Sequence, residues 1–144
     1  MTRVYETASP EETMQIGQKM GEEARAGLVI SLDGDLGVGK TVFTKGVALG
    51  LGISESVVSP TFTIVQEYEG GRLPMYHFDV YRIDDPDEMY EIGYEEYFYG
   101  EGVTLVEWAT LIGELMPEDT VTVRIEKDPG KGDDYRKITV ITKD

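Results

Sequence analysis

The sequence predicts an α/β protein: a central, mostly parallel sheet with flanking antiparallel strands and hairpins, and helices on both faces. Three features point to this. Leu28-Val29-Ile30-Ser31-Leu32 is apolar at every alternate position and nearly so between them, as a strand covered on both sides is. It leads into a glycine-rich stretch, residues 34–41, and then a helix-like run from Val42 to Leu51. Val103-Thr104-Leu105-Val106 is a second buried strand, whereas Gly70-Gly71 and residues 128–134 mark hairpins, which only antiparallel strands form.

Taken in order, Ser9-Pro10-Glu11-Glu12 has the grammar of a helix start, with Ser9 as N-cap, Pro10 at the first helical position and Glu12 closing a capping box. That helix is expected to run to Arg25 or Ala26 and to stop at Gly27. Met14, Ile16, Met20 and Ala24 give it only a partial apolar stripe, which marks a surface helix. Gly50-Leu51-Gly52 ends the second helix. Phe62 to Glu69 reads as a strand, Gly70-Gly71 as its turn and Leu73 to Tyr81 as the return strand. Asp85-Pro86-Asp87-Glu88 starts a short helix that Gly93 breaks, and Tyr94 to Tyr99 adds another turn or two. The aromatic residues there (Tyr90, Tyr94, Tyr97, Phe98, Tyr99) read as packing. A short helix from Ala109 to Met116 stops at Pro117, and Thr120 to Lys127 and Tyr135 to Thr142 alternate like half-buried strands.

At 144 residues the length is that of one domain, 1–144. Thirteen Lys and Arg against 28 Asp and Glu give a net charge of −15, which weighs against strong unaided binding to a nucleic-acid backbone. Cysteine is absent, which excludes a disulfide framework, a thiolate zinc site and a thiol nucleophile. Met1 to Glu12 carries acids where a signal peptide is basic and then apolar, and no apolar run approaches membrane-spanning length. A cytoplasmic protein with no membrane partner is the expectation.

The glycine-rich stretch, Gly34-Asp35-Leu36-Gly37-Val38-Gly39-Lys40-Thr41, has the spacing G-x-x-x-x-G-K-[ST] of a phosphate-binding loop. Glycines let the backbone curl so that several N–H groups face one anion, and the helix that follows through Val42 adds free donors and its positive dipole end. Lys40 supplies a point charge for the β- and γ-phosphates, and the Thr41 hydroxyl suits magnesium. A P-loop NTPase-like fold follows, with residues 34–42 as the nucleotide cradle. Asparagine is absent, so the usual guanine-reading N-K-x-D motif is missing and ATP is favoured.

Glu107 closes an apolar strand, the place of the carboxylate that ligates magnesium or orients an attacking water in P-loop proteins. Asp79 also ends a strand; it reads either as a second metal-side carboxylate or base, or as a turn acid or the partner of Arg82. Ser59-Pro60-Thr61 lies where GTPase-like proteins carry a switch segment, so Thr61 is either a γ-phosphate sensor or part of a strand-entry turn. Trp108 either packs or lines the nucleotide site, and His77, on the same strand face as Asp79, reads as structural.

The phosphate loop, Ser59-Pro60-Thr61, His77-Phe78-Asp79-Val80-Tyr81-Arg82 and Val106-Glu107-Trp108 together resemble the TsaE family, also known as YjeE or YdiB, in order and spacing. That resemblance covers nearly the whole chain. It implies a weak P-loop ATPase that takes part in making threonylcarbamoyladenosine at position 37 of tRNA, acting with TsaD and TsaB and meeting tRNA through that complex. By position, it implies phosphate binding by Lys40, a magnesium site at Thr41 and Glu107, Asp79 and Thr61 on the γ-phosphate side, and Trp108 flanking the nucleotide. Two alternatives stay open: a nucleotide-gated interaction switch that needs no turnover, and a small-molecule kinase. The six scattered arginines, with no lid-like cluster, disfavour the kinase.

Overall fold

The computed structural model describes residues 1–35, 37–58 and 64–143. The chain runs β1 (Thr2–Thr7), α1 (Pro10–Glu23), β2 (Val29–Asp33), α2 (Lys40–Leu51), β3 (Val65–Tyr68), β4 (Met75–Asp79), α3 (Glu88–Glu91), α4 (Tyr94–Phe98), β5 (Val103–Glu107), β6 (Val121–Glu126) and β7 (Arg136–Ile141). A 3-10 segment kinked at Ile112 lies at Ala109–Leu115, and a single 3-10 turn at Pro129–Lys131. The strands form one sheet in the order β1-β7-β6-β2-β5-β4-β3. Its middle is parallel, with β2 between β5 and β6 and β4 beside β5. Its flanks are antiparallel, with β3 on β4 and β7 between β6 and β1. This is the α/β architecture expected, and every residue of β5 is buried, as a central parallel strand requires.

Each sheet face carries its own core. On one, Phe43, Val47 and Leu51 of α2 pack over Ile30, Leu32 and Leu105. On the other, Met89, Phe98 and Ile112 pack over Val29, Phe78 and Val106. Phe78 meets Tyr97 and Phe98 edge-on at 5.3 and 5.4 Å, so the aromatic cluster does pack there, while Tyr90 and Tyr99 stay exposed.

Helix α1 departs from expectation in three ways. It ends at Glu23, earlier than Arg25, because Arg72 of the β3–β4 hairpin reaches over and donates to the carbonyls of Gly21, Glu22 and Ala24 at 2.7, 3.2 and 3.0 Å. Its capping box closes one residue early: Ser9 Oγ accepts from the Glu12 N–H at 3.2 Å, but Glu12 accepts from the Ala8 N–H at 2.6 Å. And it is not a plain surface helix. It buries Gly17 and Gly21 against α2, and Thr13 against β1, where its hydroxyl lies 2.8 Å from that of Thr7. A Cβ on Gly17 or Gly21 would overlap the carbonyls of Phe43 or Val47, and one on Gly46 or Gly50 those of Met14 or Gln18. The two helices therefore meet backbone to backbone.

Strand β1 has no counterpart in the sequence expectation. It forms by pairing with β7, Thr2 opposite Ile141 through Thr7 opposite Arg136. The expected strand start at Phe62 and the Ser59-Pro60-Thr61 segment lie outside the described residues. Among the described residues, no helix is long and apolar enough to cross a membrane.

The helix contact sets a stability test. Gly46→Ala should lower the unfolding free energy in urea titrations by about 1–3 kcal/mol, because backbone rather than a flexible side chain must give way. Gly113→Ala, whose added Cβ meets nothing within 4 Å, should change it by about 0.5 kcal/mol or less.

Candidate functional site

Strands β2, β4 and β5 end side by side, and their register aligns the candidate residues. Leu32 of β2 lies opposite Glu107 of β5, and Asp79 of β4 lies opposite Glu107 from the other side. The loop after β2 leaves the sheet at this carboxyl edge, where open α/β sheets bind ligands. Gly34 lets the loop fold onto itself, since a Cβ there would press on Val38 Cγ1 and the Ile125 carbonyl at 2.7 and 2.8 Å. Gly39, with φ 109°, turns the chain into α2 in a left-handed conformation open to glycine at little cost.

Lys40 opens α2 and is only 9% exposed. Its ammonium lies 3.4 Å from Glu107 Oε1 and 5.5 Å from the centre of the Trp108 ring. The other oxygen of Glu107 sits 2.6 Å from Nε2 of His77, which is completely buried. An ionised carboxylate only accepts, so the proton of this contact belongs to Nε2. Nδ1 of His77 is then buried with no partner among the described residues. Burial is the largest single influence on Glu107 and pushes its pKa up. The hydrogen bond from His77, then the charges of His77 and Lys40, together outweigh it and hold the carboxyl below its ordinary value of 4.5.

Asp79 is half-buried, and its Oδ1 accepts from the Tyr81 N–H at 3.0 Å, so it closes the turn after β4 while standing beside Glu107. Trp108 has φ 64°, the one positive value outside glycine among the described residues, and strain of this kind gathers at functional sites. The turn sets its ring 4.9 Å from Tyr81 at the mouth of the site, 39% exposed. A cleft of about 510 Å³ opens here, lined by Gly34, Asp35, Val38, Lys40, Trp108 and Thr110 on one side and by Arg124 to Lys127 on the other.

The structure thus brings together Lys40, Glu107, Asp79, Trp108 and the glycine loop. Thr41 is half-buried on the first turn of α2. Val42 lines a smaller recess of about 150 Å³ with Gly37, Gly39 and Arg136. Leu36 and Thr61 lie outside the described residues. The sequence carries no sign that His77 grips Glu107 or that Thr110 and Lys127 border the cleft, since each depends on strand pairing. Among the described residues, no group of three or more His, Cys, Asp or Glu side chains is placed to hold a metal. The oxygen donors present, Thr41, Asp79 and Glu107, suit a hard cation that keeps water and phosphate ligands.

A family model described as threonylcarbamoyl adenosine biosynthesis protein TsaE matches residues 7–138. A Bacillus subtilis protein named tRNA threonylcarbamoyladenosine biosynthesis protein TsaE is 51% identical over 135 residues, 94% of this chain and 82% of its own. The protein of the same name from Treponema pallidum is 42% identical over 132 residues, 92% and 95% of the two chains. The crystal structure of Bacillus subtilis YdiB matches the fold with a TM-score of 0.84 at 45% identity, covering 99% of this chain and 86% of that one.

The Glu107 contacts give a titration test. Because its folded-state pKa is depressed, Glu107 contributes stability above the ordinary carboxylate range and loses it as pH falls through the lowered value. His77→Phe strips the hydrogen bond and keeps the burial penalty, so the Glu107 midpoint, followed by carboxyl ¹³C NMR, should rise above that of the native protein. An unmoved midpoint would mean that the histidine does not hold the carboxylate.

Proposed function

The chain belongs to the TsaE family of threonylcarbamoyl adenosine biosynthesis proteins, and from that premise we propose that it is a Mg-ATP-binding ATPase of low intrinsic activity. In this proposal it supports threonylcarbamoyl transfer to adenosine 37 of tRNA together with TsaD and TsaB, in the cytoplasm, with the whole chain, 1–144, acting as one ATPase domain. The supporting observation is the 3.4 Å approach of Lys40, which lines the cleft, to the strand-end carboxylate of Glu107. The 9% exposure of Lys40, beside a glycine loop and a helix N-terminus, supports the reading, since such a setting suits a polyphosphate.

The roles follow from chemistry. The N–H groups around Gly37 to Lys40 and the Lys40 ammonium bind phosphate, and Thr41 with Glu107 holds magnesium. Magnesium, when bound, neutralises phosphate charge and fixes the phosphate geometry. Asp79, beside Glu107, is the second carboxylate on the γ-phosphate side, where it can orient water or accept its proton. Thr61 is assigned to that side by family resemblance alone. Trp108 and Tyr81 border the nucleotide at the cleft mouth. The net charge of −15 fits a subunit that leaves most tRNA binding to its partners.

Calorimetry and turnover test this together. The native protein should release heat on binding Mg-ATP, and Lys40→Ala should abolish it. ATPase activity should rise when TsaD and TsaB are added, and Glu107→Ala should lower the stimulated rate by about 100-fold or more while ATP still binds. A native protein that gives no heat with Mg-ATP would end the proposal. A Glu107→Ala variant with full turnover would remove that residue from hydrolysis.

A further inference from the structure

We propose that Arg136 is a positioning residue for the phosphate loop: it fixes the plane of the Val38–Gly39 peptide so that the Gly39 N–H faces the nucleotide cleft. The functional part of this inference rests on the nucleotide assignment above; the structural part does not.

Arg136 begins β7, and its guanidinium is engaged with backbone carbonyls. Nη1 donates to Asp133 and Tyr135 of its own hairpin loop at 2.8 and 2.7 Å, which fixes the fork. Nε then donates to the carbonyl of Val38, 98 residues earlier in the chain, at 2.7 Å. These are charge-assisted bonds, the stronger kind. The hairpin loop is itself tied to β1, since the Tyr135 hydroxyl donates to Glu6 at 2.7 Å and Lys131 pairs with Glu6 at 3.5 Å.

Val38 is held at a second point. Its side chain is 1% exposed, packed into the core beneath Gly34. With the side chain anchored inward and the carbonyl anchored on Arg136, the peptide that follows has one orientation left. In a trans peptide the C=O and N–H point in opposite directions, and no described peptide is cis. The Gly39 N–H is therefore turned away from Arg136. Arg136 stands at the small recess bordered by Gly37, Gly39 and Asp134, whereas the large cleft holds Lys40 and Trp108. Glycine flips its peptide plane at little cost, so an unanchored Gly39 would spend time with the Val38 carbonyl facing the phosphates, where it repels them.

The test uses the full chain with Arg136→Met, which keeps the stem and removes every donor, and Arg136→Lys, which keeps the charge without the fork. In the ligand-free protein, ¹⁵N relaxation should give the Gly39 amide a rigid order parameter of about 0.85, falling toward about 0.6 in both variants. The Leu105 amide in the middle of β5 should stay rigid. Affinity for Mg-ATP and for inorganic tripolyphosphate should fall by the same factor, about tenfold. Native rigidity at Gly39 in Arg136→Met, full recovery in Arg136→Lys, or equal loosening at Leu105 would each overturn the latch. If the native protein binds neither ligand, the nucleotide assignment fails, and the ligand-free order parameters still decide whether Arg136 orients the peptide.

Discussion

A carboxylate taken out of water is stable only while its charge is answered, and the site depends on how Glu107 meets that condition. Lys40 answers one oxygen and His77 the other. Each comes from a different element, α2 and β4, so the carboxylate ties the phosphate-loop helix to the sheet. Removing one partner of such a buried pair typically costs about 3–5 kcal/mol, because the remaining charge stays buried and unanswered. The same contacts therefore hold the lysine of α2 and the acid of β5 against each other.

The rest of the scaffold keeps those two residues in reach of each other. Helix α2 meets α1 through facing glycines, backbone against backbone, which leaves no side-chain layer to slide. Arg72 ties the far end of α1 to the β3–β4 hairpin, and β4 carries both His77 and Asp79. At the other flank, β1 and β7 brace the loop through Arg136. The flanking antiparallel strands thus do more than extend the sheet.

Local signals in the sequence are enough for the parallel centre and the glycine loop. Val29 to Leu32 and Val103 to Val106 are each apolar except for one small hydroxyl residue, Ser31 or Thr104, and the loop lies between a strand and a helix. What stays hidden in the sequence has a common cause. Strand β1, TRVYET, is mostly polar and exists only because β7, at the far end of the chain, pairs with it. The α1 contact is made by glycines, which add nothing to an apolar stripe, so the helix reads as a surface one. His77 meets Glu107 only because β4 and β5 pair in a register that sets Asp79 opposite Glu107. Arg136 shows nothing but a charge at the start of a strand. All four depend on residues distant in sequence, which spacing within a segment does not encode.

Trp108 is the only tryptophan in the chain, and its backbone turn sets the indole beside the Lys40 ammonium. All the indole emission of the molecule therefore originates at the cleft mouth, next to a cation whose displacement alters the field across the ring. The protein carries an intrinsic optical reporter of its own lysine, and rapid mixing can follow the arrival and departure of charge there with no attached dye.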